Sequence, residues 1–228
     1  LWHIMKYYSS FGFHDFVICC GYKGYMIKEY FADYYLHRSD VTFDFSAENR
    51  MTVHSNVAEP WRVTIVDTGL NTQTGARIKR VQKYMGDEPF MMTYGDGVSD
   101  VDLYALLEQH RQSGKTVTLT GIQPGGRFGV LDLDEASNTV VGFREKAKED
   151  GGWINGGFMV MQPEVFDYLE TDEKCVLERA PLERLATEGR LGIYRHEGFW
   201  QCMDTQRDRN RLQSMWESEF APWCIWKD

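Results

Sequence analysis

"PFMMTYGDGVSDVDLYALLEQHRQSGKTVTLTGI", residues 89–122, runs an apolar segment, a helical pattern and a second apolar segment together without a break. The first segment stops at Tyr94-Gly95-Asp96-Gly97, which sets a carboxylate between two glycines. The helical pattern starts at Asp100 or Asp102, both of a residue type that caps helix N-termini, and stops at Gly114. Residues 116–122 are apolar and β-branched, the composition of a buried strand. Strand, helix and strand in this order form a crossover unit, and crossover units build parallel pairing.

The same alternation extends towards the N-terminus. Residues 1–11 read as an amphipathic helix broken at Gly12, and DFVICC (15–20) as a strand closed by Gly21. KGYMIKEYFADYY (23–35) has helical spacing, with Met26, Ile27, Tyr30 and Phe31 on one side. WRVTIVDTG (61–69) is a strand ending in a turn, and ARIKRVQKYM (76–85) the helix after it. Beyond residue 122 the pattern changes to short strands joined by a polar turn over 129–146, then a strand followed by a helix over 156–169. The expected fold class is α/β, with a mostly parallel sheet covered by helices on both faces over 1–122 and a mixed sheet over 123–228. No linker separates the halves, so 1–228 reads as a single domain.

Composition excludes several classes of function. A formal charge of −9 leaves no basic face for a phosphate backbone, so no nucleic-acid partner is expected. No apolar run approaches a membrane span, and there is no signal-peptide pattern. The five cysteines, Cys19, Cys20, Cys175, Cys202 and Cys224, form no CxxC pair and are odd in number, which fits reduced thiols in a cytoplasm.

Three stretches carry candidate chemistry. Asp96 falls where ligands bind in open parallel sheets, and its flanking glycines leave the backbone bare; it is also ordinary turn chemistry. Asp204 ends the apolar stretch GFWQCMDT (198–205) and precedes a helical segment, so it is either an N-cap or the second carboxylate of a site for a hard cation such as Mg2+. Lys146, in FREKAKEDGGWINGGF (143–158), is either a solvated charge or, beside Asn155-Gly156-Gly157 with accessible backbone N–H groups, a ligand for phosphate or sugar hydroxyls.

Together these stretches resemble the sugar-1-phosphate nucleotidylyltransferases, and within them the cytidylyl branch. The resemblance runs from LWHIMKYYSS (1–10) through FVICCGYKGYMIKEYF (16–31), AENRMTVH (47–54), EPWRVTIVDTG (59–69), TYGDGVSDVD (93–102), GRFGVLDLD (126–134), NGGFMVM (155–161) and GFWQCMDT to APWCIW (221–226). It implies a Rossmann-like nucleotide-binding core with an inserted sugar-binding half, Mg2+ dependence and a homo-oligomer, a hexamer in that branch. It also implies transfer of a cytidylyl group from CTP to glucose 1-phosphate, giving CDP-glucose and pyrophosphate. On this resemblance Asp96 and Asp204 hold Mg2+, Lys146 pairs with the sugar phosphate, Glu145 accepts from sugar hydroxyls, and Asn155 and Gly156 complete the sugar site. Thr74, Gly75 and Ala76 would offer hydroxyl and backbone groups to the base, and Gly95 gives close approach. Arg77 is either a phosphate ligand or a solvated helix charge.

The family's first strand and glycine-rich GGxGTR loop do not occur in the sequence, so a preceding segment is expected. The family's Glu-Lys-Pro-Lys reads Glu145-Lys146-Ala147-Lys148. Two other readings compete: a metal-dependent glycosyltransferase using Asp100-Val101-Asp102, and a binding or regulatory homologue without catalysis.

Overall fold

The computed structural model describes residues 1–46, 48–123, 130–144 and 152–226. They cluster into two compact units, one of His14–Thr72, the other of Leu1–Phe13 with Gln73–Asp228. The chain opens with α1 (Trp2–Ser10), which buries Ile4, Met5, Tyr7 and Tyr8. Gly12, at φ 80°, follows its end in a backbone region open to glycine.

In the smaller unit β1 (Asp15–Cys20) leads into α2 (Gly24–His37), a hairpin of β2 (Ser39–Asp44) and β3 (Arg50–Asn56), and β4 (Arg62–Asp67). β1 and β4 are parallel, in register from Asp15↔Arg62 to Cys20↔Asp67, as the crossover pattern requires. A side chain at Gly24 would meet Cys20 Cβ at 2.7 Å, so glycine lets α2 start directly over the end of β1. The inward face of α2 differs from the expected one. Gly24 and Tyr34 are buried, with Ile27 and Phe31 half-buried between them, while Met26 and Tyr30 are 50% and 46% exposed. Tyr34 selects that face by stacking on Trp61, which lies against Phe16.

The larger unit continues with α3 (Thr74–Arg80), β5 (Phe90–Met92), β6 (Gly97–Ser99), α4 (Leu103–Ser113) and β7 (Val117–Ile122). Then come β8 (Val130–Asp134), β9 (Thr139–Arg144), β10 (Ile154–Asn155), β11 (Met159–Met161), α5 (Ala180–Thr187), β12 (Leu191–Arg195), β13 (Trp200–Cys202) and α6 (Gln206–Glu217). The main sheet has seven strands in the order β5-β11-β7-β12-β9-β8, with β10 also on β7. β7 and β12 are parallel, and β11 is antiparallel to both β5 and β7, so β5, β7 and β12 share one direction. Every residue of β7 is buried, as its unbroken apolar and β-branched composition predicts. Around it Met159, Met161, Leu182, Leu185, Leu191 and Ile193 are fully buried.

Residue 122 is not a boundary. β7 ends there and pairs with β10, β11 and β12, all later in the chain, so residues on both sides of it share one sheet. The start of α4 resolves in favour of Asp102, whose carboxylate accepts from the N–H groups of Tyr104 and Ala105 at 2.9 Å. Gly114, at φ 63°, ends the helix as expected.

Candidate active site

The β5 ladder stops earlier than the apolar run suggests. Its last pair is Met92↔Met159, after which Thr93 Oγ1 accepts the next N–H, that of Phe158, at 3.4 Å. Asp96 therefore lies beyond the strand, in the turn leading to β6. β6 pairs antiparallel with β13 through Trp200↔Ser99, Gln201↔Val98 and Cys202↔Gly97. Met203 N–H donates to Asp96 C=O at 2.8 Å, so Asp96 enters this ladder as Asp204 leaves it, at the same end. Both residues are exposed. The surroundings of the Asp96 carboxyl still crowd out water, and this desolvation raises its pKa from the ordinary value. Its own backbone N–H opposes the shift, and the nearby Asp204 carboxylate adds to it.

Asp204 does not cap the helix that follows. Thr205 does, in a capping box with Asp208: the Thr205 hydroxyl accepts the Asp208 N–H, and Asp208 accepts the Thr205 N–H. Asp204 is left with a contact from the Cys202 thiol at 3.4 Å. Among the described residues, no group of three or more His, Cys, Asp or Glu side chains could hold a metal ion. Two adjacent carboxylates beside a bare backbone are a fitting donor set for Mg2+, which completes its shell with water and phosphate oxygens. At Gly95 no atom lies within 4 Å of where a side chain would be. A groove of about 180 Å³ opens here, walled in part by Gly95, Asp96, Val98, Met203, Arg209 and Trp216.

A second set of residues closes on the same place. Asn155-Gly156-Gly157 turns from β10 to β11, with Gly157 at φ 76° and Phe158 at φ 43°. The N–H groups of its two glycines are used internally: Gly156 N–H donates to Thr120 C=O at 2.8 Å and Gly157 N–H to Asn155 Oδ1 at 2.9 Å. They are not open to a phosphate, contrary to the expectation from the sequence, because β7 takes the first and the Asn155 side chain the second. Trp200 Nε1 donates to Gly156 C=O at 2.7 Å, joining the turn to β13. Tyr94 packs under the turn, and its hydroxyl accepts from Asn155 Nδ2 at 3.2 Å and donates to Glu178 Oε1 at 2.5 Å. Glu178 Oε2 accepts the hydroxyl of Thr74 at 2.6 Å.

At the other end of the β6/β13 ladder the arrangement is closed. His196 Nε2 lies 2.9 Å from Asp100 Oδ1 and 3.2 Å from Phe199 C=O. Ser99 Oγ also donates to Phe199 C=O, at 2.7 Å. A side chain at Gly198 would meet Asp100 Oδ1 at 2.5 Å, so the loop between His196 and Phe199 fits only with glycine there.

The nucleotidyl transferase family model matches residues 1–200. The chain belongs to the nucleotidyl transferase family. It is 54% identical to the glucose-1-phosphate cytidylyltransferase of Salmonella typhi over 228 residues, which are 100% of this chain and 87% of that protein. It is 40% identical to the probable glucose-1-phosphate cytidylyltransferase of Bacillus subtilis over 226 residues, 99% of this chain and 87% of that protein. Among solved structures, HddC from Yersinia pseudotuberculosis superposes with a TM-score of 0.72 at 17% identity, covering 94% of this chain and 84% of that one. Apo UDP-glucose pyrophosphorylase gives a TM-score of 0.70 at 12% identity, covering 95% and 86%. These two likenesses are of fold, and they agree with the α/β class read from the sequence.

Within this nucleotidyl transferase, Asp96, Asp204, Gly95, Asn155 and Gly156 come together. Glu145 and Lys146 lie outside the described residues. Thr74, Gly75 and Ala76 face inward, against the expectation that they offer groups to a base. The Thr74 hydroxyl is taken up by Leu177 N–H and Glu178, and Ala76 N–H donates to Cys175 C=O at 3.1 Å. Gly75 is pressed against Cys175, where a side chain would meet Sγ at 2.7 Å. The cause is the close docking of α3 on residues 173–178. Arg77 sits half-buried on α3. Sequence reasoning missed Tyr94, Trp200 and Glu178. Tyr94 and Trp200 lie inside the stretches singled out for Asp96 and Asp204, whereas nothing around Glu178 in VLERAP (176–181) sets it apart.

Proposed function

We propose that this protein transfers a cytidylyl group from CTP to glucose 1-phosphate. An oxygen of the sugar phosphate attacks the α-phosphorus of CTP, the bond to the β-phosphate oxygen breaks, and pyrophosphate leaves with that electron pair as CDP-glucose forms. Such transfers ask little covalent chemistry of a protein and depend on positioning and charge neutralisation. The observation that carries the reading is the Asp96–Asp204 pair, two carboxylates set at one strand end beside the bare Gly95. The full-length identity to cytidylyltransferases supports the choice of nucleotide and sugar.

Asp96 and Asp204 are the residues that would hold Mg2+, which when bound neutralises charge on phosphate oxygens. Gly95 admits the nucleotide close to the backbone. Asn155 and Gly156 shape the sugar site through the turn they form, and Glu145 and Lys146 meet the sugar hydroxyls and phosphate. The two compact units belong to one nucleotidyltransferase domain, since the family model runs through both. The working form is a cytoplasmic homo-oligomer, and no helix among the described residues is long and apolar enough to cross a membrane.

The glycosyltransferase reading loses its ligands, because Asp102 caps α4 and Asp100 faces His196. The test is product analysis with CTP, UTP, dTTP and GTP, each supplied with glucose 1-phosphate and Mg2+. CDP-glucose and pyrophosphate from CTP are expected in large excess over the other products. A preference for another nucleotide overturns the substrate assignment, and no product from any of them leaves a binding homologue.

A further inference from the structure

Glu178 stands outside every role given so far. It is half-buried in the segment before α5, and among the described residues no cation faces it. It accepts two hydroxyl donors instead, Tyr94 on Oε1 and Thr74 on Oε2. The direction of each bond is set by its neighbour. Leu177 N–H donates to Thr74 Oγ1 at 3.0 Å, so the Thr74 proton is free to point at Glu178. Asn155 Nδ2 donates to the Tyr94 oxygen, so the Tyr94 proton points the same way. Two chains of donors therefore end on one carboxylate, which only accepts.

The second chain runs straight into the turn assigned to the sugar. Asn155 binds Tyr94 through its amide nitrogen and Gly157 N–H through its oxygen. The Tyr94 ring backs the turn, where a side chain at Gly157 would meet Cδ2 at 3.1 Å. The turn needs this support, because Phe158 at φ 43° holds a left-handed conformation that is strained for a residue with a side chain. Burial first, and then the Glu178 carboxylate, hold the Tyr94 hydroxyl well above its ordinary pKa, so it remains a donor. The α3 side is anchored independently by Gln73 N–H to Glu173 C=O at 2.8 Å and Ala76 N–H to Cys175 C=O at 3.1 Å.

We infer that Glu178 is a positioning residue for glucose 1-phosphate: through Tyr94 and Asn155 it fixes the Asn155–Gly157 turn, while the nucleotide side of the site does not depend on it. This rests on the cytidylyl-transfer reading above. Glu178→Gln leaves one acceptor oxygen for two donors, and Tyr94→Phe removes one donor without changing the ring.

The experiment is steady-state kinetics of the wild-type enzyme, the two single variants and the double variant, with CTP and glucose 1-phosphate varied separately. Each single variant is expected to raise KM for glucose 1-phosphate about tenfold, with KM for CTP and kcat changed less than about threefold. The double variant should match the single ones, because both cut the same chain. A parallel rise of both KM values, effects that multiply in the double variant, or unchanged KM values in Tyr94→Phe would overturn the inference while leaving the cytidylyl reading in place. Tyr94→Phe decides the matter alone if Glu178→Gln fails to fold. A wild-type enzyme that makes no CDP-glucose removes the reading, and the inference with it.

Discussion

The two ends of the short β6/β13 ladder handle charge in opposite ways. At one end Asp100 is met by His196, whose Nε2 has oxygens of Asp100, Ser99 and Phe199 within 3.2 Å and so must carry a hydrogen. At the other end Asp96 and Asp204 lie near each other, and among the described residues no ion pair engages either one. Three residue pairs separate a carboxylate that lies against a histidine from Asp96, whose raised pKa marks its charge as a cost to the fold. On the function proposed above, the pair is kept for Mg2+ to neutralise.

The largest effect that can break this contrast is on turnover. Asp96→Asn should lower kcat by about a thousandfold or more, as pyrophosphate release would report, because on the proposed function it removes a full ligand charge from the reacting end. A loss under tenfold would make the pair ordinary turn chemistry. The opposite end should answer in stability instead. His196→Ala removes the imidazole that lies 2.9 Å from the partly buried Asp100 and bonds Phe199 C=O, and should cost about 1–3 kcal/mol in urea unfolding, with turnover of the folded fraction within tenfold of wild type. Equal damage to turnover would erase the distinction between the two ends.

Two smaller effects sharpen it. Thr205→Ala removes the cap of α6 and should cost about 1 kcal/mol by the same unfolding measurement, while the Mg2+ concentration for half-maximal rate stays within about twofold. A large shift in that concentration would mean that Asp204 depends on the cap. The smallest effect is on the metal-free protein. The raised pKa of Asp96 means that folding favours its protonated form, so its charge is a cost that grows as pH rises through the carboxylate range and persists at neutral pH. Asp96→Asn should therefore raise the thermal midpoint at pH 7 by about 1–3 °C, a gain that disappears once the pH falls below that range. Added Mg2+ should stabilise the wild type and leave Asp96→Asn unmoved.

Local chemistry made much of this legible in advance. β1 and β7 follow from apolar runs closed by glycine or flanked by it, and α4 from its Asp and Gly ends. Asp96 and Asp204 stood out because each terminates an apolar stretch. The cap at Thr205 was also readable, since Thr205-x-x-Asp208 is a capping-box pattern, yet the neighbouring Asp204 competed for the same position. What local chemistry does not encode is which distant segment a side chain meets. No residue near Glu178 indicates Tyr94 or Thr74, and no pattern in 198–205 indicates that β13 pairs with β6. The inward turn of Thr74, Gly75 and Ala76 has the same origin, a docking partner about a hundred positions away.

That separation has a consequence for how the protein comes into being. Ser99 and Phe199, whose hydrogen bond helps close the β6/β13 ladder, stand 100 positions apart. Bringing such distant segments together costs loop-closure entropy that only a largely formed core can offset, whereas α2 and the β2–β3 hairpin close over short spans. During synthesis Asp96 emerges long before Asp204 exists. The acidic pair is thus among the last features a newborn chain acquires, and a refolding sample should regain its helical signal well before its activity.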